Sequence, residues 1–196
     1  MHGKLLHHIQ QLVEDRENPS EPIRILDLAC GVRGVGADQL QSLFPDSIEV
    51  HGIDFFLAKP EARLSDFGAQ AKIIQGNAIE GLPYPDAHFD FVYSWQFLPH
   101  VCAGSWIEEY PEKFEDYMNC VLQVGDILKP NKEAWLDDDI LARSPYLPFN
   151  HPIAQRLLEK GIITSQGMKE RNLNGTMHTQ GGFGNPYLVL QKSIFI

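Results

Sequence analysis

The chain has 196 residues, of which 43% are hydrophobic and 10% aromatic, so it is long and apolar enough to fold around one core. Sixteen basic and 26 acidic residues leave a formal net charge of -10, and the resulting field repels nucleic-acid phosphates and anionic lipid headgroups. We therefore expect neither a nucleic acid nor a membrane as a partner.

The cysteines and the N-terminus bear on the compartment. Cys30, Cys102 and Cys120 show no CxxC spacing, which argues against a disulfide framework and against a cysteine-based zinc site. No segment has the apolar length of a secretory signal or of a membrane span. The sequence therefore predicts a cytoplasmic protein.

Helices and strands alternate along the first half of the chain. An amphipathic pattern over residues 5–13 predicts an N-terminal helix, whose histidines, among them His8, are expected at its surface. The apolar run 23–28 predicts a strand that ends at a glycine-bearing loop, and a helix to Pro45 follows. Further strands are predicted at 48–53, 72–74 and 89–95.

A long helix opens the second half. Pro111 suits a first helical turn, apolar residues recur at helical spacing from Phe114 to Leu128, and Pro130 is expected to stop the helix. Strands are predicted at 133–136 and 187–191, with a helix at 151–160 between them. Strands separated by helices imply right-handed crossovers, so we predict an α/β fold with a largely parallel sheet covered on both faces.

Polar and glycine residues follow the carboxyl ends of the predicted strands, where open α/β sheets bind ligands. Asp27 precedes a loop in which Gly31 allows a ligand to approach the backbone. A carboxylate there attracts an ammonium and repels a pyrophosphate. Asp54 can accept both hydroxyls of a ribose, and Asn77 offers an amide to an adenine edge. Together these residues suit a ligand with an amino acid, a ribose and an adenine.

At these residues the sequence resembles the class I S-adenosylmethionine-dependent methyltransferases, particularly the small-molecule type. The resemblance runs from about Ile23 to Pro130 and rests on four motifs in order: ILDLACG, VHGID, IIQGNAIEGLPYPDAHFDFVYS and ILKPNKEAWL. It implies direct methyl transfer from S-adenosylmethionine to an acceptor, and the acidic composition favours a small molecule as that acceptor.

The resemblance also implies an architecture: a Rossmann-like, doubly wound, mostly parallel sheet of seven strands with an antiparallel last strand. One methyltransferase domain would span residues 1–196, with an N-terminal helix in 1–20, the cofactor-binding core in 21–140 and the completion of the sheet in 141–196. The cofactor-binding residues implied are Asp27, Ala29 and Gly31 on the methionine side, Asp54 and Phe55 for ribose and adenine, Asn77 and Ala78 for adenine, and Ser94 with Trp95 near the sulfonium.

The chain departs from the family pattern in the glycine loop. Ala29 and Arg33 stand where the family usually has glycines, and Gly34 follows one place late. Arg33 would bring a cation near the charged cofactor unless it turns away or pairs with an acid. Asn77 replaces a more usual aspartate, which keeps the hydrogen-bonding ability and removes a charge.

Each candidate has a structural alternative. His100, just past the fourth strand, is a candidate general base toward an oxygen or nitrogen nucleophile, or a loop histidine with no catalytic task. Asp27 could cap the next helix or pair with Arg33, and Tyr93 could simply pack in the core. The run 137–139 is acidic, but three successive carboxylates point in different directions, so no metal site is expected.

Two other functions compete with methyl transfer. A non-catalytic binding or scaffold protein of the same fold is suggested by Arg33 and by the short chain after the fifth strand. A nicotinamide-dependent oxidoreductase would share the acid of the second strand, but Gly31, Gly34 and Gly36 do not form G-x-G-x-x-G, and Asp27 would face the pyrophosphate.

Overall fold

The computed structural model describes residues 3–31, 33–55, 68, 70–94, 111–137, 163–164, 167–168, 173–178 and 187–192. The predicted helix 151–160 and the candidates Trp95 and His100 lie outside these ranges. Its helices are α1 (Gly3–Glu14), α2 (Val35–Leu43) and α3 (Pro111–Ile127). Its strands are β1 (Ile23–Leu28), β2 (Ile48–Asp54), β3 (Lys72–Gln75), β4 (Phe89–Ser94), β5 (Leu128–Asp137), β6 (Ile163–Thr164), β7 (Gly167–Met168), β8 (Leu173–His178) and β9 (Tyr187–Lys192).

The sheet confirms the predicted α/β, Rossmann-like class. Strands β3, β2, β1, β4 and β5 are neighbours in this order, and every pair among them is parallel. Beyond β5, strand β9 pairs antiparallel with β5, and β8 pairs antiparallel with β9. The strand order reverses between β1 and β4, and ligands of such sheets bind at the carboxyl ends of the strands around that point.

The junction between α3 and β5 differs from the prediction. Leu128, predicted as the last member of the helical stripe, opens β5, and Pro130 lies inside this strand instead of ending the helix. Proline is tolerated in a strand where pairing is irregular. Here Asn131 has a φ of 61°, and the pairing of β4 with β5 shifts register between Phe89 and Phe91. The irregularity accommodates the proline.

One buried cluster joins two helices to the sheet. Leu5 and Ile9 of α1 and Leu40 of α2 pack with Ile25 of β1 and Phe91 of β4. These side chains are buried because α1 and α2 each present an apolar stripe to the same face of the sheet. None of the described helices has the length and apolarity needed to cross a bilayer.

His8 lies in this layer and not on the surface, so the expectation for it is wrong. Its ring stacks on Trp135 with centroids 4.3 Å apart, and its Nε2 lies 3.2 Å from Glu133 Oε1. Burial lowers the pKa of His8, and the nearby Glu133 opposes this shift. The aromatic partner is supplied by β5, which no pattern within α1 indicates.

A buried carboxylate ties α2 to the segment before β3. Asp38 is 0% exposed, and its Oδ1 accepts hydrogen bonds from the backbone nitrogens of Gln70, at 3.0 Å, and Ala71, at 2.9 Å. Both donors immediately precede Lys72, the first residue of β3. Asp38 therefore fixes where β3 enters the sheet, a role that the sequence analysis did not identify.

Candidate active site

The register of the sheet brings several predicted site residues to one edge. Asp27 of β1 lies beside Gly52 of β2 and Tyr93 of β4. Leu28, the last residue of β1, pairs with Ser94, the last residue of β4. Asp27, Asp54 and Ser94 therefore meet at the carboxyl ends of three adjacent strands, next to the point where the strand order reverses.

The loop from β1 to α2 turns through left-handed backbone conformations. The φ angles are 62° at Ala29, 80° at Gly31 and 63° at Gly34. Glycine adopts such angles without a steric penalty, whereas for other residues the left-handed region costs roughly 1–2 kcal/mol. Ala29 thus has the backbone conformation of the glycine that the family usually places there.

The backbone nitrogens of this loop are bound to the end of β2. Ala29 N and Cys30 N donate to the carbonyl oxygen of Ile53 at 2.9 and 3.2 Å, and Gly31 N donates to Asp54 Oδ2 at 3.0 Å. A loop that binds a pyrophosphate directs these donors at the ligand instead. The geometry therefore argues against a dinucleotide and thus against the oxidoreductase alternative.

Asp27 is a buried carboxyl group, only 4% exposed. Burial raises its pKa to about 7; a hydrogen bond from the Tyr93 hydroxyl acts in the opposite direction, and the neighbouring Asp54 adds to the increase. No ion pair among the described residues involves Asp27. A buried carboxylate is costly unless it is paired, so this position suits a cationic ligand.

The structure does not realise the alternative roles of Asp27. Helix α2 has Gly34 as its N-cap, with no side-chain cap hydrogen bond. Arg33 is exposed, and none of the ion pairs within the described ranges joins it to Asp27. Arg33 therefore leaves the charge of Asp27 uncompensated.

Ser94 brings a second buried polar group to the edge. It is 3% exposed, and its Oγ has no hydrogen-bond partner within the part of the chain that the structure describes. A buried hydroxyl without a partner costs about 1–3 kcal/mol. Its position after β4 makes Ser94 available to a polar group of a ligand.

The residues predicted for the adenine differ in what they offer. Phe55, beside Asp54, is 53% exposed, so its ring is available to an aromatic base. The Asn77 amide is engaged in a local turn: its Oδ1 accepts from Ile79 N at 3.2 Å, and its Nδ2 donates to Glu80 Oε1 at 2.9 Å. Ala78 is buried. The turn alternative therefore describes the Asn77 side chain as the structure has it.

A glycine inside β2 makes room for the loop. A Cβ on Gly52 would lie 2.9 Å from Cys30 Sγ and 3.1 Å from Ile73 Cγ1, closer than side chains approach one another. The loop thus packs directly on the backbone of β2. The sequence analysis did not assign this role, although glycine within a strand often marks a close approach.

These donors form a consistent set. Asp27 suits a cation, Asp54 is a carboxylate at the mouth of the site, Ser94 has a hydroxyl without a partner in the described ranges, and Phe55 exposes a ring. They fit a ligand with an ammonium group, a ribose and an aromatic base. The described residues contain no group of three histidines, cysteines or acids able to hold a metal ion.

Comparisons with known proteins agree with this geometry. The family described as "Methyltransferase domain" matches residues 25–129, which is more than half of the chain. No curated protein matches the chain significantly in sequence.

Among solved structures, the CurJ carbon methyltransferase is 14% identical with a TM-score of 0.58; the match covers 97% of this chain and 54% of that one. A putative methyltransferase crystallised with the Haloferax volcanii Trm112 activator is 13% identical, with a TM-score of 0.54 and coverages of 97% and 91%. The O-methyltransferase TomG from Streptomyces achromogenes, in complex with S-adenosylmethionine, is 18% identical, with a TM-score of 0.54 and coverages of 98% and 79%.

At these identities the structural likeness concerns the fold, and the family match carries the assignment. The matched range runs from β1 into β5 and contains Asp27, Asp54, Asn77 and Ser94. The chain therefore belongs to the S-adenosylmethionine-dependent methyltransferases, as its sequence motifs predicted.

Proposed function

We propose that this protein transfers a methyl group from S-adenosylmethionine to a small-molecule acceptor at the carboxyl ends of β1, β2 and β4. The observation that carries the proposal is the buried Asp27 carboxyl, which no described ion pair neutralises. S-adenosylmethionine, when bound, supplies an electrophilic methyl group on a sulfonium, whose sulfide leaves without help from an acid.

The proposed cofactor contacts follow the order of the strand ends. Asp27 receives the ammonium group, with Ala29 and Gly31 beside the methionine moiety, and Ser94 and Trp95 lie near the sulfonium. Asp54 accepts hydrogen bonds from the ribose hydroxyls, because a carboxylate has acceptor sites beyond the one that binds Gly31 N. Phe55 covers the adenine, and Asn77 and Ala78 border it; since the Asn77 amide is engaged in its turn, we assign that contact to the backbone.

The protein's contribution to the reaction is then mainly alignment. A methyl transfer needs the acceptor atom, the methyl carbon and the leaving sulfur in line, and holding reactants in that geometry lowers the barrier substantially. Exclusion of water from the site protects the transfer. His100 remains the proposed base for an acceptor that must lose a proton.

The acceptor and the setting of the domain complete the proposal. A net charge of -10 favours a small, uncharged or cationic acceptor over a nucleic acid. We also propose that residues 1–196 form one methyltransferase domain with seven strands and an antiparallel last strand, and that it works in the cytoplasm, where cysteines without CxxC spacing stay reduced.

The contact between Asp54 and the ribose gives the sharpest test. In Asp54→Asn the side-chain oxygen can still accept from Gly31 N, while an amide donor replaces the second carboxylate oxygen. Loss of charge-assisted hydrogen bonds to two hydroxyls is expected to weaken S-adenosylmethionine binding by about 10- to 100-fold in calorimetry. The melting temperature should change little, since the loop contact remains.

Asp46→Asn is the matched control, because Asp46 is exposed in the turn after α2 and should leave the affinity unchanged. Equal affinities of wild type and Asp54→Asn would show that the ligand does not contact Asp54. Absence of binding to the wild type would favour the scaffold alternative.

A further inference from the structure

Tyr93 contacts the residue that the proposed function, on which this inference rests, places at the ammonium group. It is the register neighbour of Asp27 across the β1–β4 pair, and its hydroxyl donates a hydrogen bond to the Asp27 carboxyl group. Tyr93 is 5% exposed, and a buried tyrosine hydroxyl generally keeps a hydrogen-bond partner.

The packing around Tyr93 fixes where its hydroxyl lies. Its ring lies nearly parallel to that of Phe91, with centroids 6.1 Å apart, and Phe91 packs edge-on against Trp135 at 5.6 Å. Tyr93 and Phe91 belong to the buried cluster beneath α1 and α2. The hydroxyl is therefore held by a rigid aromatic layer, whereas a group on a loop would lack such support.

We propose that Tyr93 is a positioning residue for cofactor binding: its hydroxyl holds the Asp27 carboxylate in the orientation and charge state that receive the ammonium group of S-adenosylmethionine. The opposite side of the carboxyl group faces α2, where a Cβ on Gly36 would lie 3.6 Å from Asp27 Oδ2. Tyr93 and the first turn of α2 thus flank Asp27.

The charges around Asp27 show why this hydrogen bond matters. Asp54, at the end of β2, disfavours the Asp27 anion, and so does burial; the hydrogen bond from Tyr93 favours it. From the loop, Cys30 acts on Tyr93, and α2 contributes the uncharged Gly36.

Two further titratable groups, His8 of α1 and Glu133 of β5, lie on the far side of the aromatic layer, against Phe91 and Trp135. Tyr93 therefore provides the nearby interaction that favours the anion.

The consequence is a proton linked to cofactor binding. Because an ammonium group selects the Asp27 anion, binding near or below neutral pH displaces a proton from Asp27 to solvent. The affinity of the wild type should rise with pH and level off above the pKa of about 7. In Tyr93→Phe that pKa should rise by about 1, so the affinity at pH 7 should fall about fivefold and the deficit should narrow toward pH 9.

Two measurements test the proposal. The first follows the Asp27 carboxyl carbon by NMR against pH without ligand, and the second follows S-adenosylmethionine binding by calorimetry between pH 6 and 9. Tyr84→Phe is the matched control, because it also removes a buried tyrosine hydroxyl, one without a hydrogen-bond partner among the described residues. The control should move neither the midpoint of Asp27 nor the pH profile.

The outcomes separate the inference from the proposed function. An unchanged Asp27 midpoint in Tyr93→Phe, or an affinity reduced equally at every pH, overturns the role of Tyr93 and leaves the proposed function intact. A wild type that binds no S-adenosylmethionine at any pH overturns both. In that case the NMR titration still shows whether Tyr93 controls the charge of Asp27.

Discussion

Replacing Asp27 with asparagine is expected to stabilise the ligand-free protein at pH 8. The folded state holds this carboxyl with a pKa of about 7, against an ordinary value of 3.8. Between these values the folded state binds more protons than the unfolded state, so the stability of the wild type falls as the pH rises. At about 1.4 kcal/mol per pKa unit, the charged group costs the folded state up to about 4 kcal/mol above pH 7.

Asparagine avoids this cost and still offers an oxygen to the Tyr93 hydroxyl. Urea unfolding should therefore show a free energy of unfolding about 2–4 kcal/mol higher for Asp27→Asn at pH 8, and a gain that shrinks as the pH falls toward 4. The same variant should bind S-adenosylmethionine at least about 30-fold more weakly at pH 8, since the ammonium group loses its charged partner. A stabilised variant with undiminished affinity would show that Asp27 does not meet the cofactor.

Asp38→Ala is expected to cause a large loss of stability. The substitution removes the acceptor of the backbone nitrogens of Gln70 and Ala71 and leaves a gap at a fully buried position. Two charge-assisted hydrogen bonds and a small cavity together predict a decrease of about 3 kcal/mol in the free energy of unfolding, measured with urea.

Asp38→Asn distinguishes the hydrogen bonds from the charge. Both donors bind Oδ1, which asparagine retains, so its loss should be about 1 kcal/mol. The exposed Asp46→Ala should change the stability by less than about 0.5 kcal/mol. If Asp38→Ala were as mild as Asp46→Ala, the contact with the segment before β3 would not stabilise the fold.

The parallel strands could be predicted closely because each is an apolar run that stops at polar or glycine residues. For β2 the predicted range 48–53 differs from Ile48–Asp54 by one residue. The start of β5 could not be predicted, since Pro130 ordinarily ends a helix. Its tolerance depends on a bulge between β4 and β5, which is a property of the pairing and not of either segment.

The strand-end acids could be located from the sequence, but their partners could not. Asp27 meets Tyr93 because β1 and β4 are neighbours in this register, and no local pattern specifies that pairing. The contact between Gly31 N and Asp54 depends in the same way on how the loop folds onto β2. The role of Asp38 depends on where the chain returns before β3.

The central claim is that the site binds S-adenosylmethionine, and the most direct test is calorimetry of the wild type with S-adenosylmethionine, S-adenosylhomocysteine and NADH. We expect affinities on the order of micromolar for the first two and no binding of NADH, because the loop nitrogens that a pyrophosphate needs are bound to Ile53 and Asp54. Binding of NADH alone, or of none of the three, would contradict the account.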